Sequence, residues 1–472
     1  MEKKKNYGLF KLIGISFLVF VLLTWIIPIG NYSGGELVKG ETSPLGIFGI
    51  FTTPVYAFAV FAQYFVLLLC IGGFYGVLNK TGVYSRLISN ITKKLKKYKN
   101  VFLISTIIFF GLITSLFNEI MMIFILLPLF VAILVKLGFN KITCLASTIG
   151  ASLIGIIANI SGNLAIYRNY FGLNIKDVLP FNIIMFVVLM FIFIMYIFSK
   201  EKKFASENKN DEKNDVVIPL YSNNKDNKKS ILPLIIILSI VFVLMILGLY
   251  NWFYSFDIKV FNDLYEKIIN IELFGTKIFP RIFGELPVIG GFTNYDLSAI
   301  LVLSSALIAW IYSLKLDEFV ESFKTGVKGM LKPAIYIVLA SIIFSSVVTS
   351  SNGNISLTIS DFFLNLSNDF NIICGMLSGI TGSFFYNDFL YLINGLYSSL
   401  SLYNIEMIPA ILFIYQSMFG IMMFILPVSI TLICGLKFID ISYKDWIKYI
   451  WKFLIQAFLI CVIASVILLM IV

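Results

Sequence analysis

The sequence predicts an all-α polytopic membrane protein, an inverted-topology repeat of about nine transmembrane helices plus two re-entrant hairpins. Three observations carry that prediction. The 472 residues are 59% hydrophobic and only 13% charged, with a mean hydropathy of +0.93, which is more apolar surface than a soluble fold buries. The basic residues are one-sided. With Lys3, Lys4 and Lys5 taken as cytoplasmic, all of the 36 lysines and arginines except Lys39, Arg168, Lys176, Lys259, Lys267, Lys277 and Arg281 lie in segments that alternate to the inside, as the positive-inside rule requires. Finally, an unusual apolar segment occurs twice. Gly111-Leu-Ile-Thr-Ser-Leu-Phe-Asn-Glu119 and Gly379-Ile-Thr-Gly-Ser-Phe-Phe-Tyr-Asn-Asp388 each end in an amide followed by a carboxylate, 269 residues apart.

Taken in order, Leu9 to Pro28 follows a basic stretch without a small-residue cleavage pattern, so it reads as a retained first helix crossing outward. A Gly-rich external segment follows, and Pro54 to Leu78 crosses back. In Thr81 to Asn100, Val83, Leu87, Ile91 and Leu95 recur every four residues amid Arg86, Lys93, Lys94, Lys96, Lys97 and Lys99. That pattern predicts an amphipathic helix at the inner interface. Val101 to Val135 is apolar apart from Thr114, Ser115, Asn118 and Glu119, and both ends abut lysines, so it either crosses twice or dips in and returns. Thr143 to Ile166 crosses outward and Pro180 to Phe198 inward.

The Lys/Asn/Asp/Glu-rich stretch Lys200 to Lys229 has the composition of a flexible linker. Ile231 to Tyr250 crosses outward, and Asn251 to Tyr295 forms a large external loop. Leu297 to Leu314 and Pro333 to Val348 cross next, and an external amphipathic piece, Ser351 to Asp369, follows. Phe370 to Leu400 is the second polar-centred stretch. Ile408 to Leu436 and Ile447 to Val472 complete the chain. The predicted units are therefore residues 1–199, a first repeat with a hairpin at about 101–136; 200–230, a cytoplasmic linker; 231–295, a connecting helix and external loop; and 296–472, a second repeat with a hairpin at about 370–400. The second half starts each element from the opposite side of the membrane.

Acids at membrane depth are costly and mark functional sites, and irregular backbone there must line a wet cavity or be buried in protein. The candidate substrate- and ion-binding residues are Thr114, Ser115, Asn118 and Glu119 at the first tip and Ser383, Asn387 and Asp388 at the second. The helices after the tips add Thr148, Ser152 and Asn159, and Gln416, Ser417 and Ser429. Their oxygens are hard donors suited to Na+ or small polar solutes. Interhelical hydrogen bonding through the same residues is the competing explanation. In the first helix, Asn159-Ile-Ser-Gly-Asn163 invites local unwinding. Gly72 and Gly76 form a GxxxG spacing suited to close helix packing. The five cysteines are scattered in apolar runs and read as small packing hydrophobes, and the chain has no histidine, which removes imidazole metal sites and triads.

The segments Gly46-Ile-Phe-Gly-Ile-Phe-Thr-Thr-Pro54, Gly72-Gly-Phe-Tyr-Gly-Val-Leu-Asn-Lys-Thr-Gly82, Asn118-Glu119 and Leu137-Gly-Phe-Asn-Lys-Ile-Thr143 resemble the YfcC group of the C4-dicarboxylate anaerobic carrier (DcuC-type) family. The resemblance implies the ion-transporter superfamily fold, two hairpins and two broken helices around a substrate, and an alternating-access cycle. YfcC-like tips often carry glycines and paired acids, whereas this chain has one carboxylate per tip. Some relatives are named for dicarboxylates and others resemble arginine/ornithine exchangers.

The expected activity is secondary transport of a small polar organic solute, an amino acid ahead of the alternatives and a basic one by antiport among them. It would be coupled to Na+ or H+, with no other cofactor. A C4-dicarboxylate carrier is the alternative reading, and an ion channel the alternative of another class. An enzyme is not expected, because no nucleophile–base set or metal cluster is visible. The expected setting is the plasma membrane, multi-pass with a cytoplasmic N-terminus. The expected partners are lipid and a small-molecule substrate, without nucleic acid; a homodimer is admitted.

Overall fold

The computed structural model describes residues 8–33, 36–117, 120–207, 218–223, 227–350, 353–367 and 369–471. The first half begins with α1 (Gly8–Ile26), strands β1 (Pro28–Ser33) and β2 (Glu36–Thr42), α2 (Ile47–Val60) and α3 (Ala62–Lys80). It continues through α4 (Val83–Leu95), α5 (Lys99–Phe117), α6 (Ile120–Lys136), α7 (Lys141–Ile157), α8 (Leu164–Phe171) and α9 (Ile175–Glu207). The external loop after α10 (Leu232–Leu249) holds α11 (Trp252–Phe256), α12 (Val260–Ile269), β3 (Glu272–Leu273), β4 (Thr276–Lys277) and α13 (Ile278–Phe283). The second half comprises α14 (Asn294–Ile311), α15 (Leu316–Ala340), α16 (Ile342–Val348), α17 (Ile355–Leu364), α18 (Ile372–Gly382), α19 (Phe389–Leu400), α20 (Ile408–Met423), α21 (Ile430–Ile439) and α22 (Tyr443–Ile471).

Among the described residues, 8 helical stretches are long and apolar enough to cross a membrane, or 9 when α15 and α16, bent by 45°, count as one. The protein is thus an all-α polytopic membrane protein. The Gly-rich segment after α1 forms an antiparallel strand pair. The Gly34-Gly35 dipeptide between two extended runs is a hairpin signal that hydropathy overlooks. This hairpin is tied to the second half: Gly30 bridges to Asn354, and Tyr32 donates to Asp361 Oδ1 at 3.0 Å.

The two polar-centred stretches differ in length. α5 and α6 have 19 and 17 residues, whereas α18 and α19 have 11 and 12. At 1.5 Å per residue, α18 and α19 each reach about 17 Å, short of a hydrocarbon core of about 30 Å. The amphipathic α4 forms where expected and runs through a 3₁₀ turn at Lys96–Tyr98 directly into α5. Gly82 precedes it at φ 69°, a left-handed conformation suited to glycine.

The tightest helix crossing is α3 against α15. A Cβ on Gly326 would lie 2.0 Å from the Gly72 carbonyl oxygen, and one on Gly76 would lie 2.2 Å from that of Ser322. The GxxxG spacing therefore does pack backbone on backbone. α15 starts well before Pro333, because Leu316 to Lys332 is helical as well. At its exposed start, the Lys315 N–H and then Lys80 hold the Glu318 carboxyl below the usual carboxylate range.

One short piece of the linker is docked. Asn79 donates to Leu220 O at 2.7 Å and accepts from the Ser222 N–H at 3.0 Å. Tyr221 packs on Tyr84, with Lys136 4.4 Å above its ring.

Candidate functional site

Two helix breaks of six residues each lie at the centre of the fold: Ala158 to Asn163 between α7 and α8, and Phe424 to Ser429 between α20 and α21. A broken helix leaves backbone groups without intrahelical partners, and at membrane depth each must be paired inside the protein. Ser115 does this for the first break. Its carbonyl oxygen accepts from the N–H groups of Ile160, Ser161 and Gly162 at 3.0, 3.1 and 3.1 Å. Its hydroxyl donates to Ala158 O at 2.7 Å and accepts from Ile160 N at 2.9 Å. Asn182 donates to Asn159 O at 2.7 Å, and Asn159 Oδ1 caps the Asn163 N–H at 2.9 Å. Close packing of α5 on α7 permits this, since a Cβ on Gly155 would stand 2.4 Å from Gly111 O.

Gln416 joins the two halves. Its Oε1 accepts from Asn163 Nδ2 at 3.1 Å and from the Tyr167 hydroxyl, and its Nε2 donates to Ile157 O at 3.4 Å. Gly420, one turn on, lets α20 approach: a Cβ there would be 2.6 Å from Ile157 N. Asn163 Oδ1 remains buried without a hydrogen-bond partner among the described residues. At the second break Trp446 donates to Phe424 O at 2.9 Å, and the last residue of the break, Ser429, caps α21 by accepting from Leu432 N at 3.4 Å.

A cavity of about 550 Å³ opens beside these breaks. Gly162, Ala165 and Asn169 form one wall, Asn387, Asp388 and Tyr391 another, and Leu249 to Asn251, Tyr254 and Ser255 a third. Asp388 caps α19 through Leu390 N at 2.8 Å, and Asn387 reaches Ser341 Oγ at 3.3 Å, at the bend between α15 and α16. Among the described lining residues Asp388 is the one charged side chain. Arg168 is adjacent in sequence to Asn169 but does not line the cavity.

The sequence candidates divide accordingly. Asn387 and Asp388 line the cavity, while Thr114, Ser115, Asn159 and Gln416 build the network around the first break, Thr114 O receiving Asn159 Nδ2 at 3.5 Å. Asn118 and Glu119 lie outside the described residues; their neighbours Phe117 and Met121 line the cavity. Thr148, Ser152, Ser383 and Ser417 are not on its wall. Each hydroxyl donates to a carbonyl three or four residues back, at 2.6, 3.0, 2.6 and 3.0 Å. Such bonds satisfy a buried hydroxyl within its own helix, and Ser152 also reaches Phe110 O of α5 at 3.5 Å. Ser429 is a cap next to the lining residue Ile430. Tyr167, Asn182 and Tyr250 were missing from the sequence candidates. Tyr167 was accessible, because it follows Asn163 by four residues and shares its helix face.

A solved structure that the chain resembles distantly is described as the crystal structure of the Alcanivorax borkumensis YdaH transporter with an unusual topology. The match has 14% identity and a TM-score of 0.41, and it covers 98% of this chain and 97% of the other. No curated protein matches the chain. The model of the C4-dicarboxylate anaerobic carrier family matches residues 8–471. The chain therefore belongs to the C4-dicarboxylate anaerobic carrier family, and it is a membrane transporter.

Proposed function

We propose that the protein is an ion-coupled secondary transporter of an amino acid, zwitterionic or basic, exchanged by alternating access across the plasma membrane. The observation that carries this reading is the charge of the cavity: Asp388 amid amides, tyrosines and a serine, with no Lys or Arg among the described lining residues. A carboxylate facing a cavity at membrane depth favours a compensating cation, and an ammonium group or Na+ supplies one. Asn163 Oδ1, an orphan acceptor beside the break, is our candidate atom for a coupling cation, since hard oxygens replace water around Na+. The paired breaks after α5–α6 and α18–α19 support an inverted repeat, and the lysine bias supports a cytoplasmic N-terminus. On that orientation, the cavity wall at Leu249 to Ser255 supports a mouth that faces outside.

The second reading, transport of a four-carbon dicarboxylate, is favoured by the family itself. It requires co-bound cations and the N-terminus of α19 to balance two carboxylates. Counterflow in proteoliposomes separates the two readings. Loaded unlabelled amino acids, basic ones included, are expected to drive uptake of labelled amino acid, and four-carbon dicarboxylates are not. Counterflow with the dicarboxylates alone would overturn the amino-acid reading, and ohmic conductance without counterflow would indicate a channel.

A further inference from the structure

Away from the central cavity, a groove of about 690 Å³ lies between α4, α6 and α10. We infer that it binds an anionic phospholipid from the leaflet on the Lys-rich side. Its walls are apolar or aromatic throughout, for example Leu87 and Ile91 of α4, Leu129 and Phe130 of α6, and Leu238 and Phe242 of α10; the exceptions are Asn90, Lys94 and Ser239. On this side the lining runs from Ile231, the N-cap of α10, to Met245, about 21 Å at 1.5 Å per residue. One leaflet of hydrocarbon is about 15 Å deep. The groove thus has the length and chemistry of a lodged acyl chain. Phe109 and Phe242, with ring centroids 6.1 Å apart, flank its deep part.

The polar residues select the headgroup. Arg86 donates to Lys229 O, two residues before Ile231, so α4 lies at the Lys-rich end of the groove. Asn90 and Lys94 follow at four-residue intervals and face into it. Among the described residues Lys94 has no ion-pair partner and stands exposed where a headgroup can reach it, and Arg86, one turn before Asn90 and outside the lining, adds positive charge nearby. From Thr81 to Asn118 the chain contains no acid to neutralise them. A phosphate at the mouth supplies the missing charge and acceptors, and a basic pocket between helices on the Lys-rich side is the setting in which anionic headgroups are held. A zwitterionic lipid brings the same phosphate and acyl chains but cancels the phosphate charge with its own ammonium, and free phosphate leaves the apolar groove unfilled, so an anionic phospholipid matches the site best.

The test is thermal stability of the full-length protein in detergent, with phosphatidylglycerol or phosphatidylcholine of the same acyl chains added. Wild type is expected to melt higher with phosphatidylglycerol, and native mass spectrometry is expected to show phosphatidylglycerol retained preferentially. Lys94→Glu removes the headgroup contact and Ser239→Trp fills the groove, so each should lose about half or more of the difference between the lipids. Lys448→Glu, on the exposed face of α22, should keep it. Should one groove variant fail to fold, the other still decides. Equal shifts for both lipids in wild type, unchanged selectivity in the groove variants, an equal loss in Lys448→Glu, or the full effect from inorganic phosphate would each overturn the inference.

Discussion

Replacing Gln416 with methionine keeps the side chain's length while deleting all three of its hydrogen bonds to the first half. The Asn163 amide, the Tyr167 hydroxyl and the Ile157 carbonyl would each lose their Gln416 partner. Leaving a buried polar group unpaired costs about 1–3 kcal/mol, so Gln416→Met should destabilise the central network by about 3 kcal/mol or more. Tyr167→Phe removes a single donor, and Gln416 Oε1 keeps Asn163 as a partner, so its cost should stay near 1 kcal/mol. Each 1.4 kcal/mol is tenfold in an equilibrium. If the network holds the break in its working geometry, Gln416→Met should reduce uptake by about a hundredfold and Tyr167→Phe by less than tenfold. Initial uptake rates in proteoliposomes, with melting temperature in detergent, read both quantities. Wild-type uptake and melting in Gln416→Met would refute the claim that this contact couples the halves.

Asp388→Asn keeps the shape of the α19 cap and deletes the one charge on the described cavity wall, so uptake driven by an imposed Na+ or H+ gradient should fall at least about tenfold without loss of folding, as gradient assays and melting would report. Ser115→Ala leaves Ala158 O without its hydroxyl donor and should lower both melting temperature and transport, whereas Ser383→Ala deletes only a bond within its own helix and should change either little. Gly326→Ala forces a Cβ to within 2.0 Å of Gly72 O and should reduce the melting temperature clearly; a neutral result would show that the α3–α15 crossing is looser than its geometry. A cysteine at Ser222 should be labelled only from the cytoplasm and one at Tyr254 only from outside, and labelling of both from one face would break the proposed orientation.

The membrane fold was legible because hydropathy and lysine bias act over whole helices, where local detail averages out. The GxxxG packing and the unwinding at Asn159 were readable for a similar reason: small residues and clustered amides have few other uses in a bilayer. The β-hairpin was not, since its polar strands carry no hydrophobic period. The hydroxyls are the hardest to read. A sequence does not show which carbonyl a hydroxyl reaches; here Thr148, Ser152, Ser383 and Ser417 each bond to one about a turn behind. Ser115 departs from them because Gly111 and Gly155 bring a neighbouring backbone within its reach.

The docked linker piece bears on how the chain could be divided. Leu220, Tyr221 and Ser222 are held by Asn79, Tyr84 and Lys136, all first-half residues, yet in sequence they lead into the second half. A chain severed between residues 208 and 217 would yield a C-terminal fragment that carries its own address for the N-terminal one. Co-expressed as two polypeptides, the halves would have a recognition element outside the bilayer, beyond the helix faces they bury together.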